Sequence, residues 1–206
     1  IKENLHLMSC NEPDKLSADQ IQAMLSIQER LGTLQEIVDS MNRQPALEAA
    51  KPHVVVDLTG ITRQAVNRFQ SIARHGRSQI QADIPAKAVY VLADAAQISQ
   101  VLDGLLSNAV KFTPAGTQIQ LLLEANNKET HLRVHDNGSG IEAQHIPHLF
   151  EAGYQIHGAS VVRYGGIGIS LPLIKEILEA HSGKVWAESK PGEGCTFHFT
   201  LPVASQ

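Results

Sequence analysis

Between Ser17 and Gln44 the apolar residues Ile21, Leu25, Ile27, Leu31, Leu34, Ile37, Val38 and Met41 fall along one stripe, which predicts a long amphipathic helix. Ser17 with Gln20 three positions on forms a capping box at its start. The stripe runs out near Pro45, and Lys51-Pro52 marks a connector, so the chain divides at this point into residues 1–50 and 51–206. A lone helix with an apolar stripe has no core of its own and needs a partner.

Beyond the connector the period changes. HVVVDL, QIQADIP and AVYVLA read as short strands, and TGITRQAVNRFQSIARHG as a helix closed by Gly76. Asp94 is placed to cap a second helix. In that helix Val101, Leu105, Ala109 and Phe112 recur at three- and four-residue steps, which predicts a buried face. TQIQLLLEAN and THLRVHD pair as a hairpin across NNKE. A third helix runs from Leu171 to Ala180, with Pro172 in its first turn and Gly183 as its stop. KVWAES and GCTFHFTLP close the sheet around a KPGEG turn. Helices on a sheet make a two-layer α/β sandwich.

Composition narrows the class. An apolar share of 43% suits a globular core, and 17 basic against 21 acidic side chains give no broad positive field for nucleic acid. Cys10 and Cys195 fit no metal-ligand spacing and read as reduced thiols of a cytoplasmic protein. No apolar run reaches the roughly 20 residues of a membrane span. A start at Ile1 suggests an excised piece whose membrane anchor, if the parent has one, lies outside it.

Candidate chemistry concentrates in three stretches. In QVLDGLLSNAVKFTP, Asn108 and Lys111 stand three apart on one helical face, so the amide reaches a polyanion through Mg2+ and the ammonium reaches it directly. DNGSGI at 136–141 and GGIGISL at 165–171 supply bare backbone at Gly138, Gly140, Gly165, Gly166 and Gly168 for close approach of phosphates or a base.

Asn box, Asp-x-Gly-x-Gly, a Phe-containing lid and Gly-Gly-x-Gly, in that order, resemble the catalytic and ATP-binding domain of sensor histidine kinases, in the superfamily shared with gyrase, a heat-shock chaperone and mismatch-repair ATPases. The resemblance covers roughly Val54 to Val203. It implies a Bergerat-type ATP-binding fold, preceded by a helical hairpin fragment of a dimeric four-helix bundle. It also implies ATP and Mg2+ as cofactors. Asp136 would accept a hydrogen bond from the adenine amino group, Asn108 would be the metal ligand, and Lys111 would balance phosphate charge. Phe150 would anchor the lid, and Arg163 would meet the terminal phosphate. By the same resemblance Ile141, Tyr154, Ile167, Ile169, Leu171 and Thr196 join the nucleotide-binding set.

The implied activity is protein histidine kinase of a two-component system: phosphoryl transfer to a histidine in the dimerisation helix, then to a response regulator receiver domain. Homodimerisation would run through the N-terminal helices. Gly153 stands at a position often aromatic in the family, and three further positions depart from its pattern. Gly104 stands where another polar residue is usual, Ile167 replaces a hydroxyl residue, and Ser170 replaces a glycine. Asp103 is rotated about 100° from position 104 and is a poor stand-in. These departures motivate an alternative, a degenerate kinase that holds nucleotide or scaffolds a partner. A gyrase-type ATPase would need a carboxylate general base where Gly104 lies. No His-Glu or His-Asp acceptor string occurs, His6 does not match one, and the acceptor is expected a few residues before Ile1. His145, His148, His157 and His181 read as helix or lid surface.

Overall fold

The structure, a computed structural model, describes residues 54–152, 154, 156 and 171–204. The predicted stripe of residues 17–44, Arg163 and the glycine run 165–169 lie outside the described residues, as does Cys10. The elements run β1 (Val54–Asp57), α1 (Leu58–His75), β2 (Gln79–Asp83), β3 (Tyr90–Ala93), α2 (Ala95–Phe112), β4 (Gln118–Ala125) and β5 (Glu129–Asp136). They continue as a 3-10 turn (Ile146–His148), α3 (Leu171–Ala180), β6 (Lys184–Ser189) and β7 (Cys195–Pro202).

Five strands form one sheet in the order β2-β4-β5-β7-β6, and β1 pairs with β3 in a separate ribbon. β2 runs parallel to β4, and the remaining neighbours are antiparallel. A single bridge, Val91 to Val203, joins the ribbon to the chain just after β7. The β4–β5 hairpin has its expected turn, in which the Asn126 side chain accepts from the Lys128 and Glu129 amides.

Strict alternation decides which face of the sheet is covered. Ile119, Leu121 and Leu123 of β4, Leu132 and Val134 of β5, and Phe197, Phe199 and Leu201 of β7 are buried under the helices. Their neighbours Gln118, Gln120, Arg133 and His135 point the other way, to an open face. The helices meet the sheet through Leu58 and Ala65 of α1, Ile98, Val101, Leu102, Leu105 and Leu106 of α2, and Ile174 and Leu178 of α3. This is the two-layer α/β sandwich that the sequence predicts.

Both long helices start on aspartate caps. Asp57 accepts from the Gly60 amide at 3.0 Å, and Asp94 accepts from the Ala96 and Gln97 amides, satisfying donors the helix cannot. Two expectations fail here. Phe112 is not on the buried face of α2: it is the last residue of the helix and is 40% exposed. His181 is not a surface residue but is buried just after α3. Its Nδ1 donates to the Ile177 carbonyl at 2.7 Å and its Nε2 accepts from the Asp94 amide at 3.0 Å, so it ties the end of α3 to the cap of α2. Among the described residues no helix is long and apolar enough to cross a membrane.

Candidate functional site

Asp136 ends β5 on the helix-covered face, 3% exposed, one residue before the chain turns. Its Oδ1 accepts from the Gly138 amide at 2.9 Å. Burial pushes this carboxyl above its ordinary value of 3.8, opposed by the backbone amides of Gly138 and Cys195 and by His135 nearby. Among the described residues no salt bridge reaches this carboxylate, and a buried charge without one is costly. It is positioned to accept a hydrogen bond from a ligand rather than to make an internal ion pair.

The following loop is built without room for side chains. A Cβ at Gly138 would lie 2.6 Å from Asp136 Oδ1 and 2.8 Å from the Phe112 carbonyl oxygen, closer than such atoms approach. The same contact shows that the end of α2 abuts the turn after β5. Asn108 and Lys111, in the last two turns of α2, therefore belong to the same end of the molecule as Asp136. The Asn108 side chain is half-buried, and among the described residues no hydrogen bond occupies its amide. The Lys111 ammonium lies 5.2 Å from the centre of the Phe112 ring, a cation–π distance. Asn137 leaves the cleft and donates to the Gln118 carbonyl at 2.6 Å, fixing the turn to the start of β4.

Gly104 is buried on α2. Asp103 beside it is engaged elsewhere, accepting from Arg68 Nη2 of α1 at 2.6 Å, so its carboxylate does not substitute at position 104.

Past the loop, Ile141 is half-buried and its amide donates to Ser189 Oγ at 2.8 Å. Phe150 packs edge-on to Phe197, with ring centres 6.5 Å apart at 86°, which seats this end of the segment in the core. The Tyr154 hydroxyl meets His145 Nδ1 at 2.6 Å, and its ring leans on His148 at 5.3 Å. Tyr154 is thus held by the 3-10 turn. Leu171 is half-buried against the core at the start of α3. Arg163, Gly165, Gly166, Ile167, Gly168 and Ile169 lie outside the described residues.

Thr196 does not join this cluster. The register sets Asp136 opposite Cys195 and His135 opposite Thr196, so Thr196 occupies the open face and meets His135 Nδ1 at 2.9 Å. Cys195 is the residue beside the carboxylate. Its thiol is pushed up to about 12 by burial and by Asp136, so it is protonated and unreactive.

Two residues that belong to the site were not singled out from the sequence. Gly194, at φ +81°, lies against the Asp136 carbonyl, where a side chain cannot enter. Ser189 reaches the loop from β6. The GEG of the KPGEG turn was a signal for the first. Nothing in the sequence distinguishes Ser189 from any strand-end serine. A hollow of about 300 Å³, lined in part by Glu124, Asn126, Glu129, His131, Trp186 and Thr200, lies on the open face and shares no residue with the site.

The family model described as "Histidine kinase-, DNA gyrase B-, and HSP90-like ATPase" matches residues 93–205. Among curated proteins, the chain is 33% identical over 143 residues to the sensor histidine kinase WalK of Bacillus subtilis (strain 168), covering 68% of this chain and 23% of that protein. It is 36% identical over 151 residues to the adaptive-response sensory kinase SasA of Synechococcus sp. (strain JA-2-3B'a(2-13)), covering 73% of this chain and 40% of that protein. The chain thus spans less than half the length of these relatives. Among solved structures, full-length ShkA in complex with AMPPNP superposes with a TM-score of 0.69 at 26% identity, covering 99% of this chain and 46% of that one. The catalytic domain of the histidine kinase ThkA, in a nucleotide-free form, gives 0.63 at 23% identity, over 72% of this chain and 94% of that one, a likeness of fold.

Proposed function

Because this chain belongs to the histidine kinase-, DNA gyrase B- and HSP90-like ATPase family, we propose that it is the nucleotide-binding catalytic module of a two-component sensor histidine kinase. The observation that carries this reading is the buried Asp136 carboxylate, in no salt bridge among the described residues, beside a loop with no side chain at Gly138. A carboxylate there accepts the exocyclic amino group of adenine and repels the carbonyl that guanine carries at the same position. The AMPPNP in the ShkA structure supports an adenine nucleotide as the ligand.

The residues present fit Mg2+ as well, since the Asn108 amide is uncommitted and an amide oxygen is a suitable hard ligand. Bound there, the ion would neutralise phosphate charge and orient the terminal phosphoryl group. Lys111 adds a positive charge one turn further along the helix, and the role of meeting the terminal phosphate falls by family resemblance to Arg163, which lies outside the described residues. Phosphoryl transfer asks for positioning and charge neutralisation rather than a covalent enzyme intermediate. The acceptor is a histidine imidazole of the dimerisation helix, upstream of Ile1. From it the phosphoryl group goes to an aspartate of a response regulator receiver domain. The N-terminal helices form the homodimer, residues 1–50 being the partial dimerisation region and 51–206 the catalytic domain.

A longer chain that includes the upstream helix, incubated with radiolabelled ATP and Mg2+, is expected to acquire acid-labile phosphohistidine. Failure to do so while Mg2+-dependent ADP binding persists would favour the second reading, a degenerate kinase that binds nucleotide and regulates a partner. Gly104, a buried glycine on the face of the Asn box, is the observation behind that reading. In that case Gly104→Asn restores activity if the chain descends from a working enzyme.

A further inference from the structure

The turn between β6 and β7 encloses the loop that follows Asp136. Gly192 donates its amide to the Ser139 carbonyl at 2.7 Å. Lys190 O lies against Gly140, and the Asp136 carbonyl lies against Gly194. Ser189 joins the turn to the loop through its side chain. Ser189 Oγ accepts from the Ile141 amide at 2.8 Å and donates to the Gly194 carbonyl at 2.6 Å. A hydroxyl can do both at once, whereas an amide or carboxylate is too long and an alkyl group can do neither.

The register gives this serine its reach. Ser189 pairs with Cys195, and Cys195 pairs with Asp136, so the three stand in a row across β6, β7 and β5. Opposed residues of an antiparallel pair share a face, so the hydroxyl and the carboxylate lie on the same side of the sheet with one thiol between them. Ser189 thus fixes both ends of the base-recognition segment: the Gly194 end that backs onto Asp136, and the Ile141 end where the loop leaves.

We propose that Ser189 is a positioning residue for adenine recognition, holding the 138–141 loop at the height where the Asp136 carboxylate and the loop amides can meet the base together. Ser189 touches no nucleotide itself. The proposal rests on the nucleotide reading above and goes beyond it by assigning the loop's geometry to a side chain on β6.

The test uses the full chain as wild type, Ser189→Ala and Ser189→Thr, with ADP and Mg2+ in a titration calorimeter below the melting temperature of all three. Ser189→Ala is expected to bind ADP about tenfold more weakly, the effect of one buried hydrogen bond and the amide it strands. It should also lose part of its preference for ADP over GDP, a ratio that a simple loss of folded protein would not change. Ser189→Thr keeps the hydroxyl and is expected to retain wild-type affinity. Hydrogen exchange of the Ile141 amide, measured without nucleotide, should be faster in Ser189→Ala. A folded Ser189→Ala chain with wild-type ADP affinity, or with unchanged Ile141 exchange, overturns the proposal and leaves the nucleotide reading intact. A wild-type chain that binds no ADP overturns that reading and the proposal with it.

Discussion

Replacing Asp136 by Asn separates what the site needs from what the fold needs. The two side chains have nearly the same shape, so Asn can still accept from the Gly138 amide, which now meets Oδ1 at 2.9 Å. What disappears is a charge on a residue that is 3% exposed. Burial holds the carboxyl above 3.8, so between that value and its folded pKa the folded chain binds more protons than the unfolded one. Wild-type stability therefore falls as pH rises through this window, and the loss is complete above it.

The Asp136→Asn chain has no such loss. It should match or exceed the wild type at pH 7, and any advantage should vanish below pH 3.8. Binding should move the opposite way. A hydrogen bond to a charged acceptor is worth about 1.5–3 kcal/mol, which corresponds to roughly 10- to 150-fold weaker ADP binding. Denaturant titrations at several pH values give the first quantity and calorimetry the second. A variant that is markedly less stable at pH 7 yet binds ADP normally would refute the reasoning, since the carboxylate would then be a structural group.

Asn108→Ala should abolish the Mg2+ dependence of ADP binding while leaving the metal-free affinity nearly unchanged, as calorimetry with and without EDTA would show. Gly194→Ala should destabilise the fold by about 1–3 kcal/mol and weaken nucleotide binding together, because a Cβ there meets the Asp136 carbonyl at a positive φ; thermal melts and ADP titration check both. His198 is buried on the open face between the Trp186 ring, 4.9 Å away and parallel, and His131, whose Nε2 lies 3.1 Å from its Nδ1. Burial lowers its pKa below 6.5, reinforced by His131 and Arg133 of β5 and opposed by Glu188 of β6. The unfolded chain then binds the extra proton, so stability is full above pH 6.5 and declines as pH falls below it. His198→Phe should flatten part of that decline in denaturation curves between pH 7.5 and 5.5.

Element identity was legible wherever a local signal had a local cause. Asp94 caps its helix as expected, the alternation in β4, β5 and β7 sorts their two faces, and the Asn-rich turn makes the expected hairpin. What failed depended on where an element stops or which strand lies beside it. Phe112 continues the helical period of Val101, Leu105 and Ala109, but it is the last residue of α2 and stays exposed. Thr196 and Cys195 are adjacent in sequence, and only the pairing of β7 with β5 decides which of them faces Asp136. His181 looks like any polar residue after a helix until α3 is packed against the cap of α2. The split into a two-stranded ribbon and a five-stranded sheet is a matter of long-range pairing, which periodicity does not encode. Of the candidate site, the Asn108–Lys111 pair is marked by helical spacing, Gly138 by its glycine-bearing loop and Asp136 by the family resemblance, whereas Ser189 acts across a strand pair and left no trace in the sequence.

The position of β7 between β5 and β6 has a consequence for biosynthesis. The strand that lies between β5 and β6, and supplies Cys195 beside Asp136, is the last of the described strands to leave the ribosome. Until residues 195–202 have emerged, β5 is paired along one edge only, with β4, and β6 has no neighbour in the sheet. A stalled or prematurely terminated chain would thus lack the strand beside Asp136, so that incomplete synthesis yields a product without this wall of the candidate site.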